Sequence, residues 1–197
     1  MNYLAHLLLS GDNADTRLGG ILGDFYKGPL SAIKLKPEIV SGIHLHRKLD
    51  AHSDQHPGIK QCVKLLGPDL RRTGGIVIDI VFDHFLAKHW PQFSQQTLKH
   101  YCQECYQIMN QAELPLPAAF LRFRQRASEY DLLASYAKLS TIELVLERVA
   151  LRLSQPQRMA GSFTQFEQNI DALETIFLRT FPELQEFCHQ QLREPHG

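Results

Sequence analysis

Apolar residues recur along this chain at intervals of three and four rather than two, the period of helices that bury one face. Alternating, strand-like stretches are scarce. The pattern predicts a first helix over about 2–10. A second, capped by Asp12 or Asn13, carries Leu18, Ile21 and Leu22 toward Asp24 and Phe25 before Gly28-Pro29 breaks it. Pro37 suits the first turn of a third helix that runs to about Ser53. His56-Pro57-Gly58 begins a short one, with Asp54 available as its cap. The most hydrophobic segment follows Gly67-Pro68 and ends near Trp90-Pro91. Further helices are expected from Ser94 to about Met109, through Phe120, Leu121 and Phe123 after the linker Leu114-Pro115-Leu116-Pro117, and from Thr141 to Leu153. The last helical region starts near Ser162, and Pro182 is expected to bend or end it. The fold class that results is all-α, a single domain over 1–197 with a bundle-like core.

Polar residues inside this apolar framework are the informative exceptions. Asp79, Asp83 and His84 interrupt the run that begins Gly75-Ile76-Val77-Ile78. Residues four apart on a helix are neighbours, so Asp79 and Asp83 share a face. His46 and Asp50 repeat that spacing on another helix, Asp24 closes a third, and His6 interrupts the first. Four helices thus aim polar groups at one centre, where converging carboxylates repel unless a cation joins them. Singly each has an ordinary account: His6 as a satisfied core histidine, Asp83 as a partner of Arg47. Together they point to a metal site. An oxygen-rich set with one or two imidazoles suits Mn²⁺, Mg²⁺ or another divalent cation, whereas structural zinc favours thiolates. Such an ion polarises a phosphoryl oxygen and acidifies a bound water, so phosphate-ester hydrolysis is the natural chemistry. Arg47, with its planar fork, is the candidate phosphate holder. His44, His52 and His56 lie off the His46/Asp50 face or in a turn and read as surface residues.

Bulk properties narrow the class. Of 197 residues 44% are hydrophobic and 21% charged, as in a globular chain rather than a disordered one. A formal net charge of zero argues against a general nucleic-acid binder. No apolar run approaches the roughly 20 residues that span a bilayer, and the opening segment has no basic flank and contains His6, so a cytoplasmic protein without membrane association is expected. Cys102 and Cys105 form a C-x-x-C without a preceding strand, a Gly or Pro at the motif, or a second pair. They read as reduced helix cysteines, with Cys62 and Cys188.

Several segments carry a specific resemblance. Asn2-Tyr3-Leu4-Ala5-His6, Gly23-Asp24-Phe25, the run from Gly42 to Asp50, Ser53-Asp54, His56-Pro57, Asp79 with Asp83-His84-Phe85-Leu86, and Ala172-Leu173-Glu174 ahead of Phe181-Pro182 resemble, in order and spacing, the acyl carrier protein phosphodiesterase family. Ser53 stands where that pattern has Thr. The resemblance implies an all-helical enzyme, distantly akin to HD-type metal-dependent phosphohydrolases, that removes 4′-phosphopantetheine from the serine of holo acyl carrier protein with Mn²⁺ preferred. Asp24, His46, Asp50, Asp79, Asp83 and His84 form the pool of expected metal ligands. His6 is open between ligand and proton donor to the leaving serine oxygen. The implied partner is acidic, so a basic docking surface is expected, with Lys34 and Lys36, Arg71 and Arg72, and Arg122, Arg124 and Arg126 as candidates. An HD-type nucleotide phosphohydrolase and a non-catalytic helical binding module are the competing readings. The number of metals and the oligomeric state stay open.

Overall fold

The three-to-four spacing does produce helices. The computed structural model describes residues 1–193, and residues 194–197 of the expected domain lie outside the described part. In chain order the α-helices are α1 (Tyr3–Leu9), α2 (Ala14–Leu22), α3 (Pro37–Gln55), α4 (Pro57–Leu65), α5 (Gly74–Lys88), α6 (Leu98–Gln111), α7 (Ala118–Glu129), α8 (Leu132–Ser135), α9 (Leu139–Ala150), α10 (Ser162–Gln168) and α11 (Ile170–Arg193). No strand occurs among the described residues, and one hydrophobic cluster extends from Met1 to Cys188. The fold is all-α.

The apolar run predicted after Gly67-Pro68 is α5, which is buried nearly all round: Val77, Ile78, Ile80, Val81, Phe82, Phe85 and Leu86 are all core. A helix that is hydrophobic on every side belongs at the centre of a bundle. It contacts α1, α4, α9 and α11. Phe82 meets Phe177 of α11 edge to face, with ring centroids 5.1 Å apart.

The pair that positions the polar residues is α2 and α3. A Cβ on Gly19 would lie 2.1 Å from the Ile39 carbonyl oxygen, and one on Gly42 would lie 2.1 Å from that of Thr16. Only glycine permits this backbone contact. His46 lies one turn beyond Gly42, and Asp24 follows directly after α2. The close approach therefore sets the end of α2 against the middle of α3. Asn13 caps α2 by accepting from the Thr16 N–H.

Elsewhere tertiary packing overrides local signals. Helix α11 runs through Pro182 instead of ending there. An interior proline costs about 3 kcal/mol, and burial of Phe177, Phe181, Leu184 and Cys188 on either side offsets it. The break falls earlier, at Asn169 between α10 and α11. Helix α6 starts at Leu98 with Thr97 as its cap, four residues later than Ser94. His56, rather than Asp54, caps α4: its Nδ1 accepts from the Gly58 N–H. The four cysteines are free and buried. Burial pushes the Cys102 and Cys105 thiols up, as suits unreactive helix residues.

Candidate metal centre

His46 is anchored from behind. Its Nδ1 lies 2.8 Å from the Gly20 carbonyl oxygen. A carbonyl only accepts, so Nδ1 carries a proton and donates it, and any lone pair the ring offers is on Nε2. That Nε2 lies 3.2 Å from Asp50 Oδ2, its i+4 neighbour, and 3.8 Å from Asp24 Oδ1. His6 of α1 stacks on the His46 ring with centroids 3.7 Å apart. Its Nε2 is 3.1 Å from Asp50 Oδ1 but out of alignment for a hydrogen bond, so this buried nitrogen has no hydrogen-bond partner. One donor atom each from His6, His46 and Asp50 lie within 4.8 Å of one another. A buried, unpartnered ring nitrogen beside a second lone-pair nitrogen and a carboxylate is a donor set that fits a divalent cation.

Electrostatics separate the groups. Burial, reinforced by the neighbouring His46, lowers His6 to about 3, so the ring is neutral at physiological pH. At Asp50 burial works against ionisation. Contacts with His46 and His6 and the Met1 ammonium outweigh it, and the carboxyl sits well below the usual range. The Met1 ammonium lies 3.2 Å from Asp50 Oδ1 and 2.9 Å from Asp79 Oδ1. Burial disfavours that charge, but Asp79 and Asp50 raise the amine to about 10. Asp79 and Asp24 are both shifted upward, chiefly by burial. The Asp24, Asp50 and Asp79 side chains are 42%, 41% and 34% exposed, whereas the imidazoles are buried, so the carboxylates form the open side of the centre.

The remaining expected ligands are turned elsewhere. Asp83 is fully buried and accepts the N–H groups of Leu4 at 2.8 Å and Ala5 at 2.9 Å, pinning the start of α1. His84 lies one position further round α5, and its Nδ1 meets the Tyr136 carbonyl oxygen at 2.8 Å. Arg47 stands next to His46, and adjacent helical residues do not share a face. Its guanidinium donates to the carbonyls of Tyr26 and Gly28, bracing the turn after Asp24 rather than entering the centre. His56 pairs with Glu183, and His52 stacks on Phe187.

Comparison with known proteins identifies the family of the chain. A family model described as acyl carrier protein phosphodiesterase matches residues 1–184. The chain belongs to the acyl carrier protein phosphodiesterase family. Family members so named include one from Yersinia pestis, 36% identical over 196 residues that cover 98% of this chain and 100% of the relative. Another, from Serratia proteamaculans (strain 568), is 35% identical over 189 residues, 94% of this chain and 96% of its own. No solved structure matches the chain.

Sequence reasoning passed over two contributors. The Met1 amine has no side-chain signature. Gly23, flanking Asp24, looks like a helix end, yet a Cβ there would lie 2.2 Å from His46 Cγ and 2.4 Å from Cδ2. If the centre holds a divalent cation, Gly23→Ala is expected to displace the His46 ring and weaken its binding by roughly 10–100-fold, the range seen when the groups that orient a ligand are disturbed. Isothermal titration on a variant with native circular dichroism reads this directly. Unchanged affinity would remove His46 from the cation site.

Proposed function

We propose that this chain hydrolyses the phosphodiester linking 4′-phosphopantetheine to a serine of holo acyl carrier protein, releasing the prosthetic group and apo carrier protein. A divalent cation, Mn²⁺ by preference, is held by His6, His46 and Asp50 with Asp24 and Asp79 beside them. The observation that carries the reading is the two imidazoles and Asp50 converging within ligating distance in a chain matched over 1–184 by the phosphodiesterase family. A His–Asp centre in an all-helical setting also supports distant kinship with HD-type phosphohydrolases.

A divalent ion at this centre supplies positive charge for the phosphoryl oxygens and a more acidic water. The protein does the rest. His6, neutral down to about 3, suits ligation rather than proton donation. The Gly20 carbonyl holds His46 in the tautomer whose Nε2 can ligate. Asp24, on the open side and made more basic by burial, accepts the proton of the attacking water. The water oxygen bonds to phosphorus as the bond from phosphorus to the serine oxygen breaks, and that oxygen takes up a proton to regenerate the hydroxyl.

Purified holo carrier protein incubated with the chain and Mn²⁺ is expected to lose the mass of the prosthetic group. A chelator should stop the reaction and added Mn²⁺ restore it. Carrier mass that stays unchanged with Mn²⁺, Mg²⁺ and other divalent ions would sink the assignment, and turnover of small nucleotides instead would favour a nucleotide phosphohydrolase. Among the described residues no helix is long and apolar enough to cross a membrane.

A further inference from the structure

A cavity of about 1010 Å³ opens between α7 and α9, and its inner wall includes Tyr3, Phe25 and Ile80. Tyr3 of that wall feels the charges of both Asp24 and Arg152, so the inner end of the groove adjoins the metal centre. Arg122 and Arg126 line it from α7, one turn apart, and Arg148 and Arg152 from α9 and the residues just after it, also one turn apart. All four are exposed, and among the described residues no carboxylate lines the cavity. None of the four takes part in the ion pairs of the described residues. In a chain of net charge zero, these four guanidiniums make a concentrated positive surface.

Two of the other basic candidates are engaged elsewhere. Lys36 is paired with Asp15, and Arg124 donates to the carbonyls of Met109 and Ala112. Tyr130 and Leu151, 68% and 76% exposed, are large apolar groups left in solvent on the same groove. Arginine with exposed aromatic and aliphatic side chains is the composition of a protein-binding surface.

We propose that the α7–α9 groove is the docking surface for a carboxylate-rich face of the carrier protein, which Arg122, Arg126, Arg148 and Arg152 grip as its phosphodiester reaches the metal centre. This rests on the carrier-protein reading above. The phosphodiester carries its charge to the metal centre, and the rest of the pantetheine arm is neutral amide, hydroxyl and thiol. Four guanidiniums therefore have no counterpart on the arm. A carboxylate-rich protein surface supplies one, because each planar fork takes a carboxylate through two parallel hydrogen bonds. Arginine beside aromatic rings also suits single-stranded nucleic acid, so an oligonucleotide belongs in the test.

Apo carrier protein is titrated into the full chain and into three double variants: Arg148→Glu with Arg152→Glu, Arg148→Lys with Arg152→Lys, and Arg71→Glu with Arg72→Glu as a charge-matched control away from the groove. Turnover of holo carrier protein and of bis(p-nitrophenyl) phosphate is measured alongside. The groove reversal is expected to raise Kd and KM for carrier protein by roughly tenfold or more, since it sets like charges against the partner. The lysine variant should recover most of the affinity, the Arg71/Arg72 control should stay near the parent, and turnover of the small diester should stay within about twofold. Equal carrier affinity in the groove reversal overturns the docking surface alone. So does an equal loss on both substrates, which marks a structural role. Tighter binding of a single-stranded oligonucleotide than of carrier protein overturns the choice of partner. If the parent chain releases nothing from holo carrier protein, the functional reading itself falls.

Discussion

His46→Ala is expected to lower turnover of holo carrier protein by about 10³-fold or more, which corresponds to about 4 kcal/mol of transition-state stabilisation. No other side chain in the centre is so fully prepared. The Gly20 carbonyl fixes its tautomer, the His6 ring stacks on one face, and the bare Cα of Gly23 leaves room for the ring. Its Nε2 is also the atom that links Asp24 to Asp50. Alanine removes a ligand and leaves Asp50 without its i+4 partner in one substitution. Two readouts separate this from a folding defect. Mn²⁺ stoichiometry by titration should collapse, while the helical circular dichroism should stay native even though loss of the buried ring lowers the thermal midpoint. Activity within tenfold of the parent, or full Mn²⁺ binding, would refute the assignment of His46.

Asp83→Ala should instead cost stability, by about 1–3 kcal/mol, the scale expected when buried N–H donors lose their acceptor. Its two oxygens take the N–H groups of Leu4 and Ala5, the free donors at the start of a seven-residue helix. A helix that short does not persist without tertiary contacts, and α1 brings His6 to the centre. The variant is expected to lose both midpoint temperature and activity, with Asp83→Asn intermediate because one amide oxygen remains. A pH series adds a signature. Burial raises the Asp83 carboxyl from 3.8 to about 7 in the folded protein, against the pull of the two N–H groups. Between those values the folded state binds the proton more tightly than the unfolded one. Its contribution to stability is thus complete below the ordinary value, declines as pH rises, and is gone above about 7. In the Asn variant that slope should be missing from denaturant titrations at several pH values. Equal slopes in parent and variant would place the titration elsewhere, and an unchanged midpoint in the Ala variant would refute the anchoring role.

Much of the architecture is legible along the chain. Spacing of apolar residues marks most of the helices, Pro37 and Asn13 mark starts, and the i, i+4 pairs His46/Asp50 and Asp79/Asp83 pick out the helices that carry the centre. Local spacing says which residues share a face, because a helix has a fixed turn. It does not say how helices dock. That is decided by the backbone contact of Gly19 with Gly42 and by a carboxylate that caps a helix 78 and 79 residues away. Hence Asp79 and Asp83, equivalent by spacing, separate in role. Asp79 faces the Met1 amine at the open side, while Asp83 is drawn to unpaired N–H groups that only the folded chain brings within reach. Arg47 and His84 turn away from the centre for a related reason: the first lies one position round its helix from His46 and the second one position from Asp83, and carbonyls from distant segments engage both. Pro182 stays helical because buried aromatic contacts on α11 exceed the cost of one missing hydrogen bond. Composition and periodicity thus determined the class of fold and most of the polar residues that the helices bring together. Tertiary packing decided which atoms meet, since burial and long-range hydrogen bonds depend on partners that the local pattern does not contain.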